Sequence, residues 1–216
     1  MSKNKVSKPV QSIENRLSDY QENLFDYLYS FSAKPSYQRR NLELSDMIDF
    51  KTVLSDVNNI ITLLMTREFV RLLGGDTHSV DNNPNANGYD LVYQSEKYQM
   101  VIAEVKSTIP CLKNKLFGPK QIDGIIKDIE GLKEKKNKSQ LKNDKEFEAA
   151  VKVMILLDRE DVRNAINDLK KKKEKLPEII IETIDNNEFI KLYKSKKLLT
   201  NQIYVVFVSI NNNNNF

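Results

Sequence analysis

The sequence predicts an α/β fold, a mixed central β-sheet flanked by helices. Three observations carry this. An apolar run of strand length, Val151–Leu157, suits a central strand buried on both faces. Long segments on either side place apolar residues every three or four positions, the period of an amphipathic helix. The elements follow one another as helix, hairpin, helix, strand, helix, strand, which suits a layered sheet and helices.

Residues 1–10 read as a disordered tail. From Ser12 the apolar positions Ile13, Leu17, Tyr20, Leu24, Leu28 and Phe31 recur at helical spacing, and Ala33-Lys34-Pro35 ends the run. This helix is expected to pack on the core or on a second subunit, so residues 1–44 form an arm for dimerisation or DNA recognition. Its Tyr20, Tyr27 and Tyr29, with Tyr37 beyond it, can stack on bases or simply pack between helices. Ser45 with Asp46 and Asp49 suits an N-terminus, and Gly74-Gly75 suits the end of the same helix. Its stripe is Phe50, Val53, Leu54, Val57, Ile61, Leu64 and Leu72, and Glu68 falls on that stripe. A carboxylate so placed needs a metal, a water-filled cleft or a cation; Arg67 and Arg71 are adjacent candidates for the last.

Residues 81–88 are dense in turn formers and form a loop. Strands are expected at Tyr89–Gln94 and Tyr98–Lys106, joined by a turn at Ser95–Lys97. A basic loop with Pro110 leads to Gly118-Pro119 and a helix over Lys120–Lys136, and Asn137–Lys145 reads as an exposed connection. After Val151–Leu157 come a helix over Asp161–Lys175, a strand at Glu178–Ile184, a helix at Glu188–Lys196 and a strand at Ile203–Ile210. The domain is therefore expected over 45–210, with 211–216 a disordered Asn-rich tail. The run Lys170–Lys173 suits the negative end of its helix.

With 34 basic and 30 acidic residues the net charge is only +4, so a nucleic-acid footprint has to come from local clustering. One cysteine, Cys111, and one histidine, His78, disfavour disulfide frameworks, zinc clusters and Cys/His nucleophiles and suit a reducing cytosol. No run of 18 apolar residues and no apolar segment behind the basic start are present, so neither a membrane span nor a secretory signal is expected.

Chemistry concentrates at the end of the second hairpin strand. Alternation puts Gln99, Val101, Ala103 and Val105 on one face, and Tyr98, Met100, Ile102, Glu104 and Lys106 on the other. Glu104 and Lys106 thus project side by side from an otherwise apolar strand, a costly placement unless they act together. An even hairpin register puts Asp90 on the same side, about two rungs from Glu104; an odd register separates them. Two carboxylates and a backbone carbonyl make a hard oxygen site suited to Mg²⁺ or Mn²⁺, with Lys106 placed to orient a water or neutralise phosphate charge.

Asp90, thirteen intervening residues, and then Glu104-Val105-Lys106 resemble the signature of the PD-(D/E)XK nuclease superfamily, although Tyr89 stands where that pattern has proline. The resemblance covers about residues 45–157. It implies a restriction-endonuclease-like core if one more short strand lies near Thr77–Asp81. It further implies metal binding by Asp90 and Glu104, a catalytic Lys106, and an auxiliary acid on the upstream helix, here Glu68. It also makes Gln121 a candidate beside the scissile phosphate. Lys113, Lys115 and Lys120, with no acid between Lys106 and Asp123, are candidate phosphate contacts beside a helix N-terminus. The implied activity is Mg²⁺-dependent cleavage of double-stranded DNA, first as a type II restriction endonuclease acting as a homodimer. The alternatives are a repair, resolvase or defence nuclease, or a non-catalytic DNA-binding module on the same fold.

Overall fold

The computed structural model describes residues 12–40, 43–78, 88–112, 114–136, 141–171 and 181–210. A five-stranded mixed sheet lies between two layers of helices. The strands are β1 (Leu91–Tyr93), β2 (Val101–Lys106), β3 (Val151–Leu157), β4 (Ile181–Thr183) and β5 (Ile203–Val208). Their spatial order is β1-β2-β3-β5-β4, with β1 antiparallel to β2 and every other pairing parallel.

Both faces of the central strands are buried, and alternation divides the core in two. Val101, Ala103 and Val105 of β2, Val151, Val153 and Ile155 of β3, and Tyr204, Val206 and Val208 of β5 face one layer. That layer holds α1 (Ile13–Ala33), α3 (Leu44–Leu72) and α7 (Asn186–Lys194). Ile102, Met154, Leu156, Val205 and Phe207 face the other, built from α4 (Pro119–Lys133) and α6 (Glu160–Lys171). Each fully buried aliphatic or aromatic side chain contributes about 1.5–3 kcal/mol of hydrophobic driving force, so the register of these strands is strongly specified.

Lys152 interrupts the apolar run of β3. Its buried ammonium donates to the carbonyls of Phe147 (2.9 Å), Ala150 (3.0 Å) and Thr200 (2.7 Å), so its hydrogen-bonding capacity is met entirely by main chain.

Helix α1 begins where expected, with Ser12 as N-cap accepting from the Asn15 N–H. Helix α3 starts earlier than Ser45. Glu43 is its N-cap, and the Glu43 N–H donates to the Asp46 carboxylate. It ends as expected: Gly74, with φ +79°, lets the Gly74 and Gly75 N–H groups bond the carbonyls of Arg71 and Val70, a Schellman closure that favours glycine. Two short helices, α2 (Ser36–Arg40) and α5 (Asp144–Ala149), were not foreseen; α5 takes the end of the expected exposed connection. Strands β1 and β2 are shorter than their sequence patterns, and β4 stops at Thr183, one residue before the expected Ile184, with 178–180 of that pattern outside the described residues. Ser95 Oγ accepts from the Lys97 and Tyr98 N–H groups in a wide connection, which ends pairing before the tips are reached. Thr77 and His78 lie in a turn, and the rest of the extra strand expected near 77–81 falls outside the described residues. So do residues 1–10, Lys113 and 211–216.

Candidate active site

The hairpin register decides where Asp90 lies. Leu91 pairs with Ala103 and Val92 with Ile102. One further step places Asp90 directly opposite Glu104, so the register is even and the two residues are closer than two rungs. At such positions Cβ atoms stand roughly 4.5–5.5 Å apart. Asp90 is half-buried, and its Oδ2 accepts the Val105 N–H at 2.8 Å, extending the β1–β2 ladder by a side chain.

Glu104 is 4% exposed and lies in the row of β2 that faces α4. Its Oε1 is fully buried, with no hydrogen-bond donor aligned on it. Lys136 Nζ stands 2.5 Å away in an ionic contact and donates to the Gly88 carbonyl at 2.9 Å. Tyr89 forms the wall behind this lysine: its ring centroid is 5.3 Å from Nζ, and its hydroxyl accepts from the Lys136 N–H. Burial first, and the Asp90 carboxylate second, push Glu104 up to about 8 against the pull of Lys136. Burial also raises Asp90, with the Asp128 charge adding to it; the Val105 N–H and the two lysines oppose this.

Lys106 follows on the same face. Its Nζ meets Asp128 Oδ2 at 2.5 Å. Helix α4 presents Gly124 and Asp128, one turn apart, to this side chain. A methyl group at Gly124 would sit 3.7 Å from Lys106 Cε and Nζ, so this turn of the helix lies against the lysine stem.

The structure therefore gathers Asp90, Glu104 and Lys106, and adds Lys136 and Asp128, which sequence reasoning missed. Lys136 carried no signal, being one of many lysines near a helix end. Asp128 did carry one: it stands three residues after Ile125 and four before Leu132, both buried, so it lies on an apolar stripe just as Glu68 does.

Glu68 is not brought to this group. Its Oε1 contacts Arg71 Nη1 at 3.0 Å and Arg67 Nε at 3.4 Å, and Arg67 Nη1 reaches Glu14 of α1 at 3.5 Å. Its helix packs on the opposite face of the sheet. The stripe position is satisfied by cations, as the adjacent arginines allowed.

Gln121 closes the loop before α4. Its Oε1 accepts the Gly118 N–H at 2.9 Å, and its Nε2 donates to the Ile109 carbonyl at 2.7 Å. Both ends of the amide are thus used in capping. Lys115, in the left-handed region at φ 57°, and Lys120 are exposed, and Cys111 is exposed near Gly118.

Among the described residues no three His, Cys, Asp or Glu side chains converge as a metal cage, and no helix is long and apolar enough to cross a membrane. No protein-family model, no curated protein and no solved structure matches this chain.

Proposed function

We propose that the chain is a Mg²⁺-dependent endonuclease with a restriction-endonuclease-like core, acting on double-stranded DNA in the manner of the PD-(D/E)XK superfamily. The observation that carries this reading is the β1–β2 register, which sets Asp90 opposite Glu104 with Lys106 two residues along the same row. Glu104 stands beside a second carboxylate, and its Oε1 already meets one cation, the Lys136 ammonium at 2.5 Å, so the pair favours positive charge at this place. Two carboxylates suffice for Mg²⁺, which keeps several waters and takes further oxygens from substrate phosphate. Asp90 and Glu104 would hold it, and Mn²⁺ suits the same donors. Bound there, such an ion supplies Lewis-acid polarisation of a phosphoryl oxygen and a more acidic water.

The remaining work falls to the chain. Lys106, a quarter exposed and held by Asp128, would exchange that partner for an entering phosphate, a charge-assisted bond of the stronger class. Lys115 and Lys120, with the α4 N-terminus, supply positive charge for the flanking backbone. Sequence-specific double-strand cleavage of the type II restriction class is the preferred form, with repair, junction-resolving or defence roles as alternatives within the same chemistry.

One feature favours a second reading, a DNA-binding module without cleavage: Lys136 lies against Glu104 and Lys106 is engaged by Asp128. Incubation of plasmid DNA with the protein in Mg²⁺ or Mn²⁺, beside Asp90→Ala and Lys106→Ala proteins, separates the two. Cleavage lost by at least 100-fold in both variants supports the nuclease. Equal residual cleavage removes the catalytic assignment. Salt-sensitive DNA binding with no cleavage in either metal selects the second reading.

A further inference from the structure

Helices α1 and α3 pack antiparallel, tied at one end by Arg67–Glu14 and at the other by Lys34–Asp46. Only the end near Arg67 belongs to the domain core. Ile13 and Leu17 of α1, and α3 from Ile60 onward, are buried in it, with Tyr20 and Leu24 packed alongside. Among the described residues between Phe25 and Thr52, none joins either core cluster.

That distal arm is nonetheless strongly apolar. Phe25 and Tyr29 of α1, and Leu44, Met47, Ile48 and Leu54 of α3, are between 47% and 78% exposed. The α3 residues lie at offsets of three, four and ten from Leu44, which is one helical stripe. That stripe is opposite Val53, the buried position of this segment. The first half of α3 is thus apolar on two sides, a pattern that belongs to a buried helix.

At about 200 Å² for an aromatic side chain, Phe25 and Tyr29 alone expose roughly 290 Å², and Leu44, Met47, Ile48 and Leu54, each about half exposed or more, enlarge that surface. A typical monomer's largest patch is about 300–600 Å², and a standard interface covers about 800 Å² per partner. The composition also matches: aromatic residues and methionine are enriched at interface centres, and lysine is depleted. Charge disfavours the anionic alternatives. From Ile13 to Asp56 the arm carries eight acids (Glu14, Asp19, Glu22, Asp26, Glu43, Asp46, Asp49 and Asp56) against five bases (Arg16, Lys34, Arg39, Arg40 and Lys51), and the bases at 34, 39 and 40 lie at its tip rather than among the exposed apolar residues of α1 and α3. A net acidic surface is a poor match for DNA phosphate and anionic lipid.

We propose that this face is the interface of a two-fold homodimer, in which the arms of two copies pack as a four-helix bundle. A two-helix face with an apolar stripe is its own complement under a two-fold axis, because the same patch serves both subunits. Four helices are the smallest arrangement that encloses the stripes in one core. The arm assigned from sequence to dimerisation or DNA recognition is then a dimerisation arm, and α3 supplies most of its surface.

Sedimentation equilibrium on the full chain at micromolar concentration tests this, with far-UV circular dichroism as a folding check. The wild type is expected at twice 25.1 kDa. Met47→Asp/Ile48→Asp is expected to be monomeric with unchanged helix content, its dissociation constant raised at least 100-fold. Phe25→Ala and Leu44→Ala are expected to weaken association without abolishing it. A wild-type monomer at 100 µM overturns the proposal. So does a dimer indifferent to the arm variants, or a monomer that instead pellets with anionic or zwitterionic vesicles. Self-association requires no catalytic group, so its failure leaves the plasmid assay unaffected.

Discussion

Replacing Glu104 with glutamine keeps the shape of the side chain and removes its proton equilibrium. In the folded protein the Glu104 carboxyl is pushed from 4.5 up to about 8. Between those values the folded state retains a proton that the unfolded chain has released. The sign follows directly. Stability from this group is fully present below pH 4.5 and is lost as pH rises through about 8. One pH unit corresponds to about 1.4 kcal/mol, so the full span is worth roughly 5 kcal/mol, and the window from pH 5.5 to 8 roughly 3 kcal/mol. Relaxation of Lys136 toward the ionised carboxylate reduces that figure; its Nζ is already 2.5 Å away. The assay is urea unfolding followed by far-UV circular dichroism, in EDTA, across pH 5.5–8. Wild-type stability is expected to fall over that range relative to Glu104→Gln, by about 2–3 kcal/mol. Adding Mg²⁺ at pH 8 is expected to restore the wild type and leave the variant unchanged. A wild-type-minus-variant difference that is flat with pH, or that grows with pH, would refute the reasoning. It would mean that Glu104 is ionised throughout as the partner of Lys136.

Lys152→Met is expected to lower stability by about 2–3 kcal/mol in thermal unfolding, because it deprives the carbonyls of Phe147, Ala150 and Thr200 of their shared donor. An unchanged melting temperature would show that these carbonyls find other donors. At the site, Gly124→Ala is expected to raise stability by about 0.5–1 kcal/mol, since glycine inside a helix is costly and the new methyl would meet Lys106 at an ordinary 3.7 Å. Gly124→Leu is expected instead to displace the Lys106 ammonium from Asp128 and to lower plasmid cleavage at least 10-fold. Equal cleavage by the two proteins would place the lysine's working position elsewhere.

Most of the fold was legible because its signals are local. Alternation in Val101–Lys106, the apolar runs at Val151–Leu157 and Ile203–Val208, the Ser12 cap and the Gly74-Gly75 stop each reflect backbone geometry acting over a few residues. Strand ends were less legible, because pairing stops where the partner strand does. Thus β1 spans only Leu91–Tyr93, although its apolar pattern runs further. The short helices α2 and α5 lacked enough residues to show a period.

The pairing of Glu104 with Lys106 followed from the sequence alone, since a period of two puts them on one face whatever surrounds them. Three matters did not follow. The place of Asp90 depended on a register set by how β1 meets β2. The fate of Glu68 depended on which side of the sheet α3 covers and on arginines within reach. The presence of Lys136 and Asp128 beside the carboxylates depended on α4 docking over β2. Each turns on how separate elements pair or dock, even where the final partners, such as Arg67 and Arg71 for Glu68, are neighbours in sequence. Local propensity does not encode such contacts; burial of the whole core decides them.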